Sequence, residues 1–286
     1  MSENHLPVIG VDLGGTKVKA ARILGQEVLQ SATLPVSAHS PDPHIVIQEV
    51  IEVIKSVWQP EVQAIGVGVP SVVDPVRGIV YDVQNIPSWT EVRLKDILET
   101  TFQVPVQLNN DANCFALGEK YFGKGRDCQN MIGLIVGTGM AAGLVISGRL
   151  YNGRHCGAGE FGMLPYLDHN FEYYCSGQFF QHFYNTDGQL LAQRAKTGDP
   201  TALTAFSDFG KHLGNAIMAL LYALDPDLIV MGGSVSKAYP LFRESLWAQC
   251  TQAFAYKPVI ADLTIAISDN EAIPVLGAAA LCLEYN

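Results

Sequence analysis

An apolar strand broken by two glycines and resumed at once is the feature that most constrains this chain. Residues 8–13 are apolar, 14–17 read Gly-Gly-Thr-Lys, and 18–24 continue as a second apolar segment. Two such runs around a glycine turn predict an antiparallel hairpin, and 27–33 suits a third strand of a meander. The theme returns at 130–136, with Gly137-Thr138-Gly139 as the turn, 142–147 as the next strand and Ser147-Gly148 turning the chain again. Each half then runs on into further strands and helices, which predicts two related α/β layers.

The helices are legible from their starts and their periodicity. Asp42-Pro43 places an N-cap before a proline at the first helical position, and Ile47, Val50, Ile51, Ile54, Val57 and Trp58 follow at helical spacing. Residues 62–69 read as a strand. Asp199-Pro200 opens a long helix through Ala223, with Phe206, Leu213, Ile217, Leu220 and Leu221 on its apolar side. Gly210 and Gly214 on that helix either admit a second backbone closely or simply lower its stability. Residues 228–231 form a strand ending in Gly232-Gly233, 263–268 the last strand, and 274–283 an apolar, alanine-rich closing helix. The expected domains are 1–115 plus 272–286, and 116–271.

With 286 residues, 48% apolar and 16% charged, the chain is globular. A net charge of −10, from 18 basic and 28 acidic residues, argues against a nucleic-acid or membrane surface, since both need basic patches to meet phosphates. ATP stays open, because backbone N–H groups, a metal and one or two cations suffice to hold a nucleotide. Residues 1–7 are polar and no apolar run approaches membrane-spanning length, so neither a signal peptide nor a membrane span is expected. Cys114, Cys128, Cys156, Cys175, Cys250 and Cys282 are scattered without a C-x-x-C, as in the reduced thiols of a cytosolic protein. The histidines, His5 and His155 among them, show no metal spacing.

Five segments suit phosphate or sugar chemistry, and each also has a plainer reading. In Asp12-Leu13-Gly14-Gly15-Thr16-Lys17 the glycines aim N–H groups at an anion, Asp12 could hold Mg2+ through water, and Thr16 or Lys17 could meet a phosphate; the alternative is an ordinary hairpin turn. No G-K-[ST] follows, so it is not a Walker A loop. Gly137-Thr138-Gly139 suits phosphate cradling by a hairpin turn. It also fits the G-x-G-x-x-A of an NAD-binding module, with Ala142 last and Glu160 as the later acid, but that rival needs a helix where Leu144-Val145-Ile146 reads as strand. In Asn109-Asn110-Asp111-Ala112-Asn113 a carboxylate among amides is a candidate general base, or a helix N-cap, or both. Glu160, within Gly157-Ala158-Gly159-Glu160-Phe161-Gly162, and Glu172 offer acceptors for sugar hydroxyls, or are solvated surface acids. Gly232-Gly233-Ser234 lets a flat ligand lie against backbone, or is a strand-to-helix turn.

The order of these segments says more than any one of them. D-L-G-G-T-K at 12–17, G-V-G-V-P-S-V-V-D at 66–74, N-I-P-S-W at 85–89, N-N-D-A-N at 109–113, G-T-G-M-A-A-G-L-V-I-S-G-R-L-Y-N-G at 137–153, G-A-G-E-F-G at 157–162 and G-G-S-V at 232–235 form a series. That series resembles the ROK family of bacterial sugar kinases and repressors along nearly the whole chain. The resemblance implies an actin-like ATPase (ribonuclease H-like) α/β fold of two domains, with ATP and sugar in the cleft between them. It implies that Asp12, Gly14, Gly15, Thr16 and Lys17, with Gly137, Thr138 and Gly139, hold the phosphates of ATP, with Mg2+ near Asp12, and that Gly232 and Gly233 sit by the adenosine. Ser71, Asn85, Asn110, Asp111 and Glu160 would meet the sugar, with Asp111 taking the proton of the attacking hydroxyl. Glu172, placed as in the family's E-x-x-x-S-G, would lie near the anomeric end. The implied protein is a cytoplasmic, homodimeric, ATP-dependent hexose kinase with glucose as the default substrate.

Two departures from the family stand out. Met163 replaces the histidine of G-E-x-G-H, and the C-x-C-G-x-x-G-C zinc loop is missing, with only eight residues, 164–171, between Met163 and Glu172. No structural zinc is expected. Ser71 stands where the family's G-x-P-G has its second glycine. A non-catalytic sugar-binding regulator of the same family is the alternative. The family's repressors carry a helix-turn-helix ahead of the kinase-like part, for which a strand starting by Val8 is not expected to leave room.

Overall fold

The structure, a computed structural model, describes residues 6–154 and 156–284, so His5 and His155 lie outside the described residues. The chain divides into two compact units, the first made of Met1–Asp127, Arg149–Ala158 and Asn270–Asn286, the second of Cys128–Gly148 and Gly159–Asp269.

The first unit opens with β1 (Val8–Leu13), β2 (Lys17–Leu24) and β3 (Glu27–Pro35), then α1 (Pro43–Val57) and β4 (Ile65–Val69). A small meander of β5 (Val72–Asp74), β6 (Ile79–Tyr81) and β7 (Glu91–Val92) precedes α2 (Leu94–Phe102), β8 (Val106–Asn110) and α3 (Asp111–Phe122). The main sheet has the order β3-β2-β1-β4-β8, with β1, β2 and β3 antiparallel neighbours and β1, β4 and β8 parallel. Asp42 caps α1 by accepting the His44 N–H at 2.9 Å, and Pro43 follows as the expected first helical residue. The buried face of α1 shares one core with Leu94, Leu98 and Phe102 of α2. Helix α3 spans the boundary expected at 115/116 and lies whole within the first unit.

The second unit begins with β9 (Met131–Val136) and β10 (Met140–Ile146), and β11 (Arg149–Leu150) returns to the first. After a 3-10 turn at Phe161–Met163 come β12 (Pro165–Tyr166), β13 (His169–Asn170), α4 (Phe171–Cys175), α5 (Gln178–Tyr184), α6 (Gly188–Lys196) and α7 (Pro200–Leu224). Then follow β14 (Leu228–Gly232), α8 (Tyr239–Ala253), α9 (Lys257–Asp262) and β15 (Thr264–Ile267). Strands β10, β9, β14 and β15 adjoin in that order, β9–β10 antiparallel and β9–β14–β15 parallel. Between the two readings of the α7 glycines, close approach holds. A Cβ on Gly210 would fall 2.0 Å from Ser245 Oγ and one on Gly214 3.0 Å from Leu246 O, so α8 packs directly on that stripe.

Helix α10 (Ile273–Glu284) closes the chain in the first unit. It lies so near β1, β4 and α3 that a Cβ on Gly10, Gly66 or Gly277 would stand 1.9 Å from Val275 O, 1.8 Å from Ala278 O and 1.7 Å from Cys114 O respectively. Among the described residues no helix is long and apolar enough to cross a membrane.

Candidate active site

In the first unit the predicted residues gather where the parallel strands β1, β4 and β8 end. Asp12 pairs with Gly68, Gly68 with Asn109, and Val69 with Asn110. The β1–β2 turn is closed by the Gly14 N–H donating to Lys17 O at 2.9 Å. Asn85 abuts this turn: a Cβ on Gly15 would come within 2.8 Å of the Asn85 Cβ. Beside Gly15 and Thr16 opens a cavity of about 420 Å³, lined further by residues 36–40. Burial holds the Asp12 carboxyl above its ordinary value, and Lys17 and then Lys19 offset part of that effect. A half-buried carboxylate at the foot of a glycine turn is a ligand suited to hydrated Mg2+, so this residue set fits the metal.

The β8–α3 junction sets Asp111. Asn110 is the N-cap, its side chain accepting the Ala112 N–H at 2.9 Å and donating to Ser71 O at 3.2 Å. Asp111 is therefore the first helical residue, where the helix dipole favours a negative charge. The capping reading and the site reading thus apply to adjacent residues. Ser71 in turn donates its hydroxyl to Tyr81 O. Beneath them Asn109 is fully buried. Its Oδ1 accepts the Asn110 N–H at 2.8 Å and Asn113 Nδ2 at 2.9 Å, and its Nδ2 donates to Asn152 Oδ1 at 3.0 Å. Asn113 Oδ1 has no protein partner although the residue is 1% exposed, a place that fits a buried water. The Cys114 thiol, one turn into α3, is pushed well up by burial, then by Asp111 and Asp12, so both carboxylates act on one buried point.

In the second unit the β9–β10 turn is closed by the Gly137 N–H donating to Gly139 O at 2.9 Å. Gly232 pairs with Ile135, and Gly233, at φ +91°, lies so close to β9 that a Cβ would stand 2.3 Å from Val136 O. Glu172 Oε2 accepts the Met140 N–H at 3.0 Å, and a Cβ on Gly139 would meet that oxygen at 2.6 Å. Glu160 joins them: its carboxyl is raised by burial and then by Glu172. Gly159 (φ +106°) lets its loop lie on β10, where a Cβ would be 1.7 Å from Ala142 O. The structure thus brings together the 137–139 turn, Gly232-Gly233, Glu160 and Glu172 within this unit.

Helix α4 carries Glu172, and an aromatic brace holds it. Asn170 caps it by accepting the Tyr173 N–H at 2.9 Å. Phe171 stacks on Tyr166 at 4.5 Å, and the Tyr166 hydroxyl bonds His212 Nδ1 at 3.1 Å and Asn215 Nδ2 at 2.9 Å. Burial keeps His212 below its ordinary value, with Asp208 opposing this. Met163 is 57% exposed, its sulfur 3.9 Å from Asn170 Nδ2. Among the described residues no group of three or more His, Cys, Asp or Glu is placed to hold a metal ion.

The dinucleotide reading of Gly137-Thr138-Gly139 is overturned: Met140–Ile146 is a strand antiparallel to β9, not a helix. The sequence names Asn113 only as one amide of the 109–113 run, and gives no role to Asn152 or Gln178. The four-residue spacing of Asn109 and Asn113 was a usable signal for the first, whereas Asn152 and Gln178 meet their partners only through the fold.

In fold the chain is that of a mixed α/β sugar kinase. It resembles the crystal structure of a putative sugar kinase from Cytophaga hutchinsonii with a TM-score of 0.85 and 25% identity, covering 97% of this chain and 100% of that one. The chain belongs to the ROK family, whose model matches residues 8–285. A glucokinase of Thermotoga maritima is 29% identical over 265 residues, covering 82% of this chain and 83% of the relative. An N-acetylgalactosamine kinase, AgaK, of a Shewanella species is 31% identical over 257 residues, covering 80% and 82%.

Proposed function

We propose that this chain moves the terminal phosphate of ATP onto a hydroxyl of glucose or a related hexose or aminosugar, with Asp111 as the general base. The chain is an enzyme, a phosphotransferase acting on a sugar hydroxyl. The observation that carries the assignment of the base is the β8–α3 junction: Asn110 spends its side chain on capping and on Ser71, which sets Asp111 at the helix start near the strand end that bears Asp12.

Phosphoryl transfer asks for positioning and charge stabilisation more than for covalent chemistry. In this reading Asp111 takes the proton of the attacking hydroxyl, the sugar oxygen bonds the terminal phosphorus, and ADP leaves with the electrons of the broken bond. Asn85, Asn110, Ser71, Glu160 and Glu172 bind and orient the sugar. Gly14, Gly15, Thr16 and Lys17 are assigned to the phosphates, as are Gly137, Thr138 and Gly139. Gly232 and Gly233, at the end of β14, are assigned to the adenosine. Asp12 would hold Mg2+ through water, and the metal supplies neutralisation of phosphate charge when bound.

The two units are proposed as the domains of an actin-like ATPase (ribonuclease H-like) fold. Support comes from their common plan, in which an antiparallel glycine-turned hairpin leads into parallel strands in each sheet. A cytoplasmic homodimer without structural zinc completes the proposal; Met163 in the place of the family histidine supports the last point.

ADP release from ATP and Mg2+ against a panel of hexoses and aminosugars tests the function. Turnover with one sugar names the substrate. Sugar binding without turnover for any member would move the assignment to a sugar-binding regulator.

A further inference from the structure

We propose that Gln178 is a positioning residue that couples the sugar carboxylate Glu172 to the phosphate turn at 137–139, an inference that rests on the kinase reading above. Gln178 Nε2 donates to Glu172 Oε1 at 3.2 Å and to Thr138 O at 3.3 Å. A primary amide nitrogen carries two hydrogens, so one group serves both acceptors at once. The acceptors come from separate elements, the β9–β10 turn and α4.

The surrounding backbone leaves Gln178 little freedom. Its own N–H donates to Ser176 Oγ at 3.2 Å, and the Gly177 N–H before it donates to Gly137 O at 2.7 Å. A Cβ on Gly177 would lie 3.1 Å from Gly137 O, so this segment rests directly on the turn. Glu172 therefore grips the turn on both sides. Oε2 holds Met140 directly, and Oε1 reaches Thr138 through Gln178.

The chemistry requires a neutral donor at this point. A carboxylate and a carbonyl oxygen that share one amide would face each other unscreened without it. A sugar hydroxyl that donates to Glu172 draws on the same lone pairs as Gln178 and changes how firmly the amide holds Thr138 O. That turn is assigned to the phosphates, so sugar occupancy reaches the nucleotide through this amide. Linkage makes the effect reciprocal.

The test measures the dissociation constant of a non-hydrolysable ATP analogue with Mg2+, with and without a saturating hexose, by calorimetry on the full chain. The readout is the ratio of the two constants, which is independent of either affinity alone. In the unsubstituted protein the sugar tightens nucleotide binding about fivefold or more, within the usual range of coupling between sites. Gln178→Ala brings the ratio close to one. Gln178→Glu sets a second carboxylate against Glu172 and turns the coupling unfavourable. An unchanged ratio in Gln178→Ala overturns the proposal, as does a ratio of one in the unsubstituted protein. Loss of all binding in both variants also overturns it, because the residue would then be only structural. An unsubstituted protein that binds neither ligand instead overturns the kinase reading itself.

Discussion

Glu172 Oε2 accepts the backbone N–H of Met140 at 3.0 Å, so a carboxylate carried by α4 closes on the turn between β9 and β10. Removing it strands a partly buried N–H. Glu172→Ala is expected to cost about 1–3 kcal/mol of folding stability, the usual penalty for an unmet buried donor. Glu172→Gln keeps an acceptor for Met140 and should restore most of that stability while leaving the sugar KM raised. Denaturant unfolding and steady-state kinetics on the same two variants check both halves. Equal recovery of stability and KM would show that Glu172 acts on the sugar only through the turn.

Glu160 gives a prediction with a definite sign. Partial desolvation and then Glu172 raise its carboxyl above the ordinary value, so its charged form costs stability above that raised value, an effect kept small by the solvent around this exposed residue. The cost is relieved as pH falls through it. Glu160→Gln should therefore melt higher than the unsubstituted protein near neutral pH, with the advantage fading as pH falls through the raised value and gone below about pH 4, where the carboxyl is protonated folded or unfolded. The same variant should bind sugar more weakly. A melting gap that is constant across pH would contradict this origin.

Helix α10 depends on the missing side chain of Gly277. A Cβ there would stand 1.7 Å from Cys114 O, on backbone that cannot swing aside. Gly277→Ala is expected to cost about 3 kcal/mol or more, at or above the upper end of ordinary overpacking. Gly157→Ala, where a Cβ meets nothing within 4 Å, serves as the control in the same thermal unfolding series.

The asparagine network under Asp111 can be tested by its acceptor. Asn152→Ala leaves the buried Asn109 Nδ2 without its partner at 3.0 Å, and stability should fall by about 1–3 kcal/mol. Asn152→Asp restores an acceptor and should recover most of it. Failure of the aspartate to recover would shift the role of Asn152 from acceptor to donor.

Strands and helices with local signals are legible in the sequence. The β1 strand at 8–13 and its glycine turn, the Asp42-Pro43 start of α1 and the Asp199-Pro200 start of α7 stand where sequence placed them, because cap, proline and apolar period all agree there. Helix α2 was not expected. It is nine residues long, has no side-chain cap at Arg93, and stops at Gln103 in a left-handed turn that no glycine advertised. Helix α8 carries a weak sequence signal, since only Phe242, Leu246 and Cys250 are buried along its length. At the candidate site the motif order singles out Asp111, the two turns and the carboxylates. Gln178 and Asn152 stayed hidden because their partners lie 40 and 43 residues away, a distance that no periodicity encodes.

Asp111→Asn shows whether Asp111 takes the proton from the sugar hydroxyl, since the amide keeps the shape and loses the base. The measurement is kcat in the ADP-release assay beside the sugar dissociation constant by calorimetry. With Asp111 as the base, kcat falls by about 10²–10⁴-fold, the usual worth of a general base, while sugar affinity changes far less. Parallel loss of turnover and binding, or turnover left intact, would contradict it.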